Sequence, residues 1–297
     1  MTDHHTPLFT ESRPALLGLA YRLLGSYSEA EDAVHETYLR WRTQDLKAID
    51  LPAAWLKRVC TRYCLDQLKS ARLARTQYVG TWLPEPLLTQ GDDDGNPQQA
   101  VELSRSLTTA FLLTLERLAP RERAAFLLYS VFDQPYPEVA ETLGVSEAHC
   151  RKIVSRAKQQ VSLQGRGEQP DKQQQQKLLD AFEEALSSGQ VSSLSALLAE
   201  DVRLSADGGG VVPTIPRPIQ GAERVLRFIG ERLRRYWQSF TWQRLEVNGF
   251  EGMVVLDGSN VVATVSVEVD AQGHLAEIYI VRNPQKLARI AGINGVT

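Results

Sequence analysis

Three prolines, Pro84, Pro86 and Pro97, stand between two long stretches of helical patterning and rule out one continuous helical body. Asp92-Asp93-Asp94-Gly95-Asn96 lies among them, acidic and turn-rich, so residues 76–100 read as a linker. Its Tyr78, Trp82, Leu83 and Leu87 are too apolar for a solvated tether, which predicts that part of it docks on a surface. A second break follows, where Gly165, Gly167, Pro170 and a glutamine run fill the stretch to Gln176. With 297 residues the chain has room for more than one core. The predicted organisation is a helical block at 1–75, a linker at 76–100, a helical block at 101–165, a linker at 166–176 and a third block at 177–297.

In the first block Leu16, Leu17, Leu19, Ala20, Leu23 and Leu24 recur at helical spacing until Gly25-Ser26 breaks the pattern. Ser28 is the expected N-cap of a second helix through Trp41, with Glu29, Glu31 and Asp32 at its positive end. Asp50-Leu51-Pro52 opens a third helix that runs through Trp55, Val59 and Leu65 to about Leu73. The third block has a different texture. Helices over Leu178–Leu186, Ser192–Leu198 and Ala222–Tyr236 precede strand-like segments at Phe240–Val247, Gly252–Leu256, Asn260–Val269 and Leu275–Val281. Asp257-Gly258 and Gln272-Gly273 punctuate them as turns, and helices followed by an antiparallel sheet define an α+β domain.

The sharpest local pattern is Tyr136–Ala157. Ala140 is the small residue at a helix crossing, Gly144 takes a turn, and Val139, Leu143, Val145, Cys150 and Ile153 face a shared core, as a helix-turn-helix requires. Ser146 caps the second helix, with Glu147 in its first turn. That helix turns His149, Arg151, Lys152, Ser155, Arg156 and Lys158 outward, a set suited to the major groove and its phosphates. A second basic element is the third helix, with Lys57, Arg58, Arg62, Lys69, Arg72 and Arg75 interleaved with Trp55 and Tyr63. Cations and aromatics together suit unstacked bases, although Trp55 and Tyr63, eight apart, also fit a core stripe. The helix before it is acidic and amphipathic, which suggests a protein contact next to a DNA contact, with an ordinary solvated helix face as the alternative.

The net charge of −3 is an average and does not locate the positive face. Three cysteines, Cys60, Cys64 and Cys150, are too few for a disulfide framework and fit a reducing cytoplasm. Cys60 and Cys64 are one turn apart, yet no neighbouring His or Cys completes a metal set, so neither metal nor cofactor is expected. The polar start, Met1–Pro7, has no secretory h-region, and no apolar run is long enough to span a membrane.

Together these residues resemble the extracytoplasmic-function sigma factors. The run from Ala30 to Trp41 is similar to that family's segment for binding core RNA polymerase, which implies roles for Asp32, Glu36, Leu39 and Arg40. Ala54-Trp55-Leu56-Lys57-Arg58-Val59 leading to Asp66-Gln67-Leu68-Lys69 resembles its minus-ten segment. The resemblance thus gives Trp55, Lys57, Arg58, Arg62, Tyr63, Lys69 and Arg72 to promoter DNA. Leu118-Ala119-Pro120-Arg121-Glu122-Arg123 and the helix-turn-helix resemble the minus-thirty-five domain, with Ser146 and the outward residues as its contacts.

The second half resembles the subgroup that carries a SnoaL-like, NTF2-like extension, a cone of helices and curved antiparallel sheet. The fold class implied is multidomain: two all-α sigma domains, then this α+β cone. Trp82-Leu83-Pro84-Glu85-Pro86, Asp207-Gly208-Gly209-Gly210 and Asn283-Pro284-Gln285-Lys286-Leu287 match the subgroup's motifs, except that Val211 and Gln285 stand where it commonly has lysine and aspartate. The resemblance implies that the extension contacts the linker and tunes activity in cis. It also implies a cytoplasmic protein, monomeric when free, that performs no bond chemistry. SnoaL-like folds include isomerases, but Asp201, Asp207, Glu268, Tyr279 and His274 form no catalytic pattern. A small-ligand pocket lined by Phe228, Trp237, Phe240 or Trp242 is open at this point, with core packing as its alternative. Such a pocket would suit a dimeric helix-turn-helix regulator, but the acidic–basic helix pair and the docking linker favour the sigma reading.

Overall fold

A computed structural model describes residues 5–76, 78–89, 107–163 and 172–291, with the side chains of 70–76, 163 and 172 outside that description. The Asp92–Asn96 turn, Pro97, the expected helical start at Val101, the side chain of Arg72 and most of the second linker therefore lie outside the described residues. The chain divides into two compact units, residues 1–77 with 112–164, and residues 78–111 with 165–297.

In the first unit α1 (His5–Leu24) buries Leu16, Leu19, Ala20 and Leu23 on one stripe. Gly25 ends it, and α2 (Tyr27–Trp41) follows. Its N-cap is Ser26, whose hydroxyl accepts from the Glu29 amide, and not Ser28. The cap must hold an extended conformation immediately before the first helical residue, and Ser28 is already inside the helix. α3 (Pro52–Thr76) starts on a proline, which fits the first helical turn where no amide is needed. Leu56, Cys60, Cys64 and Leu68 form its buried stripe, so the two cysteines are packing residues against α1.

α4 (Thr109–Glu116) and α5 (Pro120–Ser130) lead into α6 (Tyr136–Leu143) and α7 (Glu147–Leu163). Gly144, at φ 65°, makes the left-handed C-cap of α6, and Val145 N–H closes the turn on Ala140 O at 3.0 Å. Ser146 accepts from the His149 amide, as expected of a cap. Val139, Ala140, Leu143, Cys150 and Ile153 are buried, which builds the helix-turn-helix. Arg123, buried in α5, donates to Leu23 O at 2.5 Å and to Glu116 at 2.6 Å and ties α5 to the end of α1.

In the second unit α8 (Lys172–Ser188) begins within the stretch expected as linker. The short α9 (Ser192–Ser195) stops before the expected Leu198, because Leu198 opens β1 (Leu198–Asp207), a strand the sequence pattern did not reveal. After β2 (Ile219–Gln220), α10 (Ala222–Arg227) continues through a π-helical turn (Phe228–Leu233) into α11 (Arg234–Trp237). β3 (Thr241–Val247), β4 (Phe250–Asp257), β5 (Asn260–Val269) and β6 (Leu275–Val281) follow, and α12 (Pro284–Ala291) closes the described chain. The sheet order is β2-β1-β6-β5-β4-β3. It is mixed rather than antiparallel, because β1 lies parallel to β6. Register shifts interrupt three ladders, and irregularities of this kind bend and twist a sheet.

The helix-facing side of the sheet holds the core, with Leu204, Met253, Val255, Val265, Val267, Ile278 and Ile280 against Leu179, Phe182, Val225, Ile229 and Trp237. Each large apolar side chain so buried stabilises by about 1.5–3 kcal/mol. Strand alternation then sends Ser205, Asp207, Ser266, Glu268 and Tyr279 to the opposite face. This is a helix-on-sheet domain of the NTF2-like, SnoaL-like kind.

Candidate functional site

The outward side of α7 is built as its spacing predicts: His149, Arg151, Lys152, Ser155, Arg156 and Lys158 are all exposed. Two of the cations have intramolecular company. Arg151 pairs with Glu147 at 2.5 Å and lies 4.4 Å from the Tyr136 ring centroid, while Lys158 lies 4.4 Å from that of Tyr129. Arg156 and Lys152 are exposed on the same face and have no ion pair or ring contact among the described residues.

On α2 the structure places Asp32, Leu39 and Arg40 at the surface and Glu36 partly covered. Leu39, 41% exposed, is a large apolar side chain left uncovered beside charges. Arg40 sits 5.6 Å from the Tyr63 ring, which joins α2 to α3. Trp55 packs with its ring 5.4 Å from the buried Trp41, so part of its surface belongs to the core. The α3 cations are not all open. Arg58 pairs with Glu141 of α6, and Arg62 donates to the backbone carbonyls of Glu141, at 2.7 Å, and Thr142, at 3.0 Å. Arg62 thus occupies the carbonyl end of α6, where the helix dipole favours a cation. Lys69 pairs with Asp66, and Lys57 is partly covered. Glu141 is a functional candidate that the sequence reading missed.

The second unit holds a buried polar cluster. Asp207, with no exposed surface, accepts from Tyr78 Oη at 2.5 Å, Leu83 N–H at 2.8 Å, Lys286 Nζ at 2.7 Å and Gly209 N–H at 2.9 Å. Lys286 also donates to Leu83 O at 2.5 Å and lies over the rings of Trp82 and Tyr78. Burial and the adjoining Asp207 carboxylate push the Tyr78 phenol upward. Asn283 donates to Tyr78 Oη and accepts from the Gln285 amide. Gly209 is in the left-handed region at φ 63°, and any Cβ there would collide with Asn283. Leu287 is buried, Pro284 is exposed, and Leu83, Pro84, Glu85 and Pro86 are all buried. Gly208 is buried and Gly210 exposed, so the three motifs form one site around Asp207. Val211 and Gln285 are exposed, and the ion pair at this site comes from Asp207 and Lys286 instead.

Two further grips escaped the sequence reading. Asn248 accepts from Leu87 N–H at 2.8 Å through Oδ1 and donates to Leu107 O at 2.9 Å through Nδ2. One side chain thus holds the chain on both sides of residues 90–106. Asn248-Gly249 was itself a legible signal, the favoured hairpin dipeptide, and it forms the β3–β4 turn with both residues at positive φ. Glu268 accepts from the Thr108 side chain and the Ala110 amide, at the start of α4. Burial pushes its carboxyl up to about 7, against those two hydrogen bonds and with help from the Glu277 charge on the next strand. Thr109 and Ser266 hydroxyls meet at 3.2 Å beside it.

The catalytic candidates do not assemble. Asp207 is filled by donors, and Asp201 and His274 are exposed. Of the aromatic set, Trp237 is in the core and Phe228, Phe240 and Trp242 pack on it. Among the described residues no group of three or more His, Cys, Asp or Glu is placed to hold a metal, and no helix is long and apolar enough to cross a membrane.

The sequence matches the family Sigma-70 region 2 over residues 8–74 and the family Sigma-70, region 4 over residues 108–161. Two such helical domains, the second presenting a helix-turn-helix, define a sigma-70-type promoter-recognition subunit. The chain is 36% identical over 288 residues, 94% of its own length and 91% of the other's, to the ECF RNA polymerase sigma factor SigJ of Mycobacterium tuberculosis. It is 29% identical over 75% of its length, and 65% of the other's, to ECF RNA polymerase sigma factor SigG of the same organism. The crystal structure of the Mycobacterium tuberculosis extracytoplasmic function sigma factor SigJ matches with a TM-score of 0.74 at 33% identity, covering 94% of this chain and 97% of that one. This chain belongs to the extracytoplasmic-function RNA polymerase sigma factors, and it directs promoter recognition in transcription initiation.

Proposed function

We propose that each helical face has one task and that the C-terminal domain sets how available those faces are. Asp32, Glu36, Leu39 and Arg40 of α2 bind core RNA polymerase, a charged rim around one uncovered leucine. Lys57, Arg58, Arg62, Tyr63, Lys69 and Arg72 of α3, with the partly buried Trp55, meet the minus-ten element, and the outward residues of α7 meet the minus-thirty-five element. The C-terminal domain regulates in cis by holding the linker. The observation that carries this reading is the Asp207 cluster, which binds linker residues Tyr78 and Leu83 through a buried carboxylate. The protein acts in the cytoplasm as a free monomer before it joins polymerase, and catalyses no bond chemistry. A ligand-sensing regulator has less support, because the aromatics that would line its pocket pack in or on the core.

The test is run-off transcription with purified core polymerase on a promoter selected from genomic fragments, comparing the full chain with Asp207→Ala. Initiation that changes in extent while core binding is kept supports control through the linker. Failure of both chains to bind core or to initiate would overturn these assignments. Arg156→Ala is expected to weaken upstream promoter binding by tenfold or more with core binding intact, since one arginine–base contact contributes about 1–3 kcal/mol.

A further inference from the structure

The helix formed by α10, the π-helical turn and α11 buries Val225, Ile229, Leu233 and Trp237, each four residues from the last. A four-residue step drifts around an ordinary 3.6-residue helix, and the wider π turn keeps the stripe on the core. The opposite face is cationic. Residues 222–237 carry five arginines against two glutamates, in a chain whose net charge is −3. Arg224, Arg227, Arg232 and Arg235 are all exposed. Arg224, Arg227 and Arg232 line a shallow depression of about 190 Å³ with Ile219, Phe228 and Glu231. Arg227 is paired with Glu223 at 2.5 Å, while Arg224, Arg232 and Arg235 have no ion pair among the described residues.

A protein-binding face needs apolar surface to spare, and this one has little. Ile219 and Phe228 are half-buried and pack against the domain's own core, and the exposed Tyr236 is engaged by Phe240 and Arg282. What remains outward is a row of guanidinium groups, the group that takes phosphate oxygens two at a time. We propose that this arginine face binds the phosphate backbone of duplex DNA without regard to sequence. The polyanion is one this family already engages, and covalent linkage to the helix-turn-helix presents it at high effective concentration. The inference goes beyond the proposed roles of α3 and α7 and does not require their base contacts.

The experiment measures the affinity of the full chain for a duplex without promoter elements over a range of salt. Each phosphate contact contributes about 0.9 to the slope of log K against log salt. The Arg224→Gln/Arg232→Gln chain is expected to bind more weakly and to lose about two from that slope. Its affinity for core polymerase without DNA is expected to be unchanged. Arg224→Lys/Arg232→Lys, which keeps the charges, is expected to retain the slope and so separates charge from folding. An unchanged slope in the glutamine chain overturns the proposal. So does an equal loss of polymerase affinity in a chain with native circular dichroism, which would make the face a protein contact.

Discussion

Asp207 shows how much one carboxylate can be asked to hold. Its four donors come from the linker, the glycine turn and α12, and its counter-ion Lys286 is itself mostly buried. Removing the acid strands the ammonium among aromatic rings, and breaking a buried pair from one side costs about 3–5 kcal/mol. Asp207→Ala is therefore expected to lower unfolding stability by that amount, read by denaturant titration, and Asp207→Asn by less. Glu268 gives the opposite electrostatic case. Its carboxyl is raised from 4.5 to about 7, so the folded protein keeps a proton that the unfolded chain releases. Stability of the second unit should fall as pH rises through that window and level off above it. Glu268→Gln should flatten the profile, and urea midpoints at successive pH values would show it; a midpoint rising with pH across the window would contradict the assignment. The Asp207 motif was legible through resemblance. The hold of Glu268 and Asn248 on the linker was not, although Asn248-Gly249 was legible as a turn, because they grip backbone groups, Ala110 N–H, Leu87 N–H and Leu107 O, which every residue type carries.

Among the elements, the helix-turn-helix was the most legible, since it depends on local spacing and one residue with positive φ. The sheet was less so. β1 reads Leu-Ala-Glu-Asp-Val-Arg-Leu-Ser-Ala-Asp, where the paired acids Glu200-Asp201 break the alternation and mask the strand. Its parallel pairing with β6 joins segments more than seventy residues apart, a tertiary choice that no local pattern announces. The same holds for α3 and α6. Arg58 and Arg62 look like solvated DNA-binding cations in sequence, yet both are held by the end of α6. The exposed Arg58–Glu141 pair adds little to stability, about 0–1 kcal/mol. Glu141→Ala should thus leave the melting temperature nearly unchanged and strengthen binding of forked, partly single-stranded DNA, measured by fluorescence anisotropy. Unaltered binding would mean that Arg58 is not a DNA contact.

At the scale of the whole molecule, the domain that closes the chain also claims a piece from its middle. Residues 78–111 group with the C-terminal unit, so the sigma-like helices are contributed from both sides of that piece. Block boundaries could be placed from prolines and glycines because those residues act locally, but ownership of the linker depends on Asp207 and Asn248, remote in sequence. Asn248→Ala should remove one bond from each end of the loop, while the Leu88–Val247 bridge and the Glu268–Thr108 bond still hold them. Hydrogen exchange at the Leu87 amide is expected to accelerate, with the amides of α7 unaffected, and protection retained at Leu87 would show that Asn248 is dispensable. The double grip of Asn248 also sets a length. Between α3 and α4 the polypeptide has a contour of about 110 Å when fully extended. With Leu87 and Leu107 fastened to one side chain, the usable leash shrinks to about half of that. Contour taken up this way is length the two sides of the linker cannot spend, and Asn248 is one of the groups that set it.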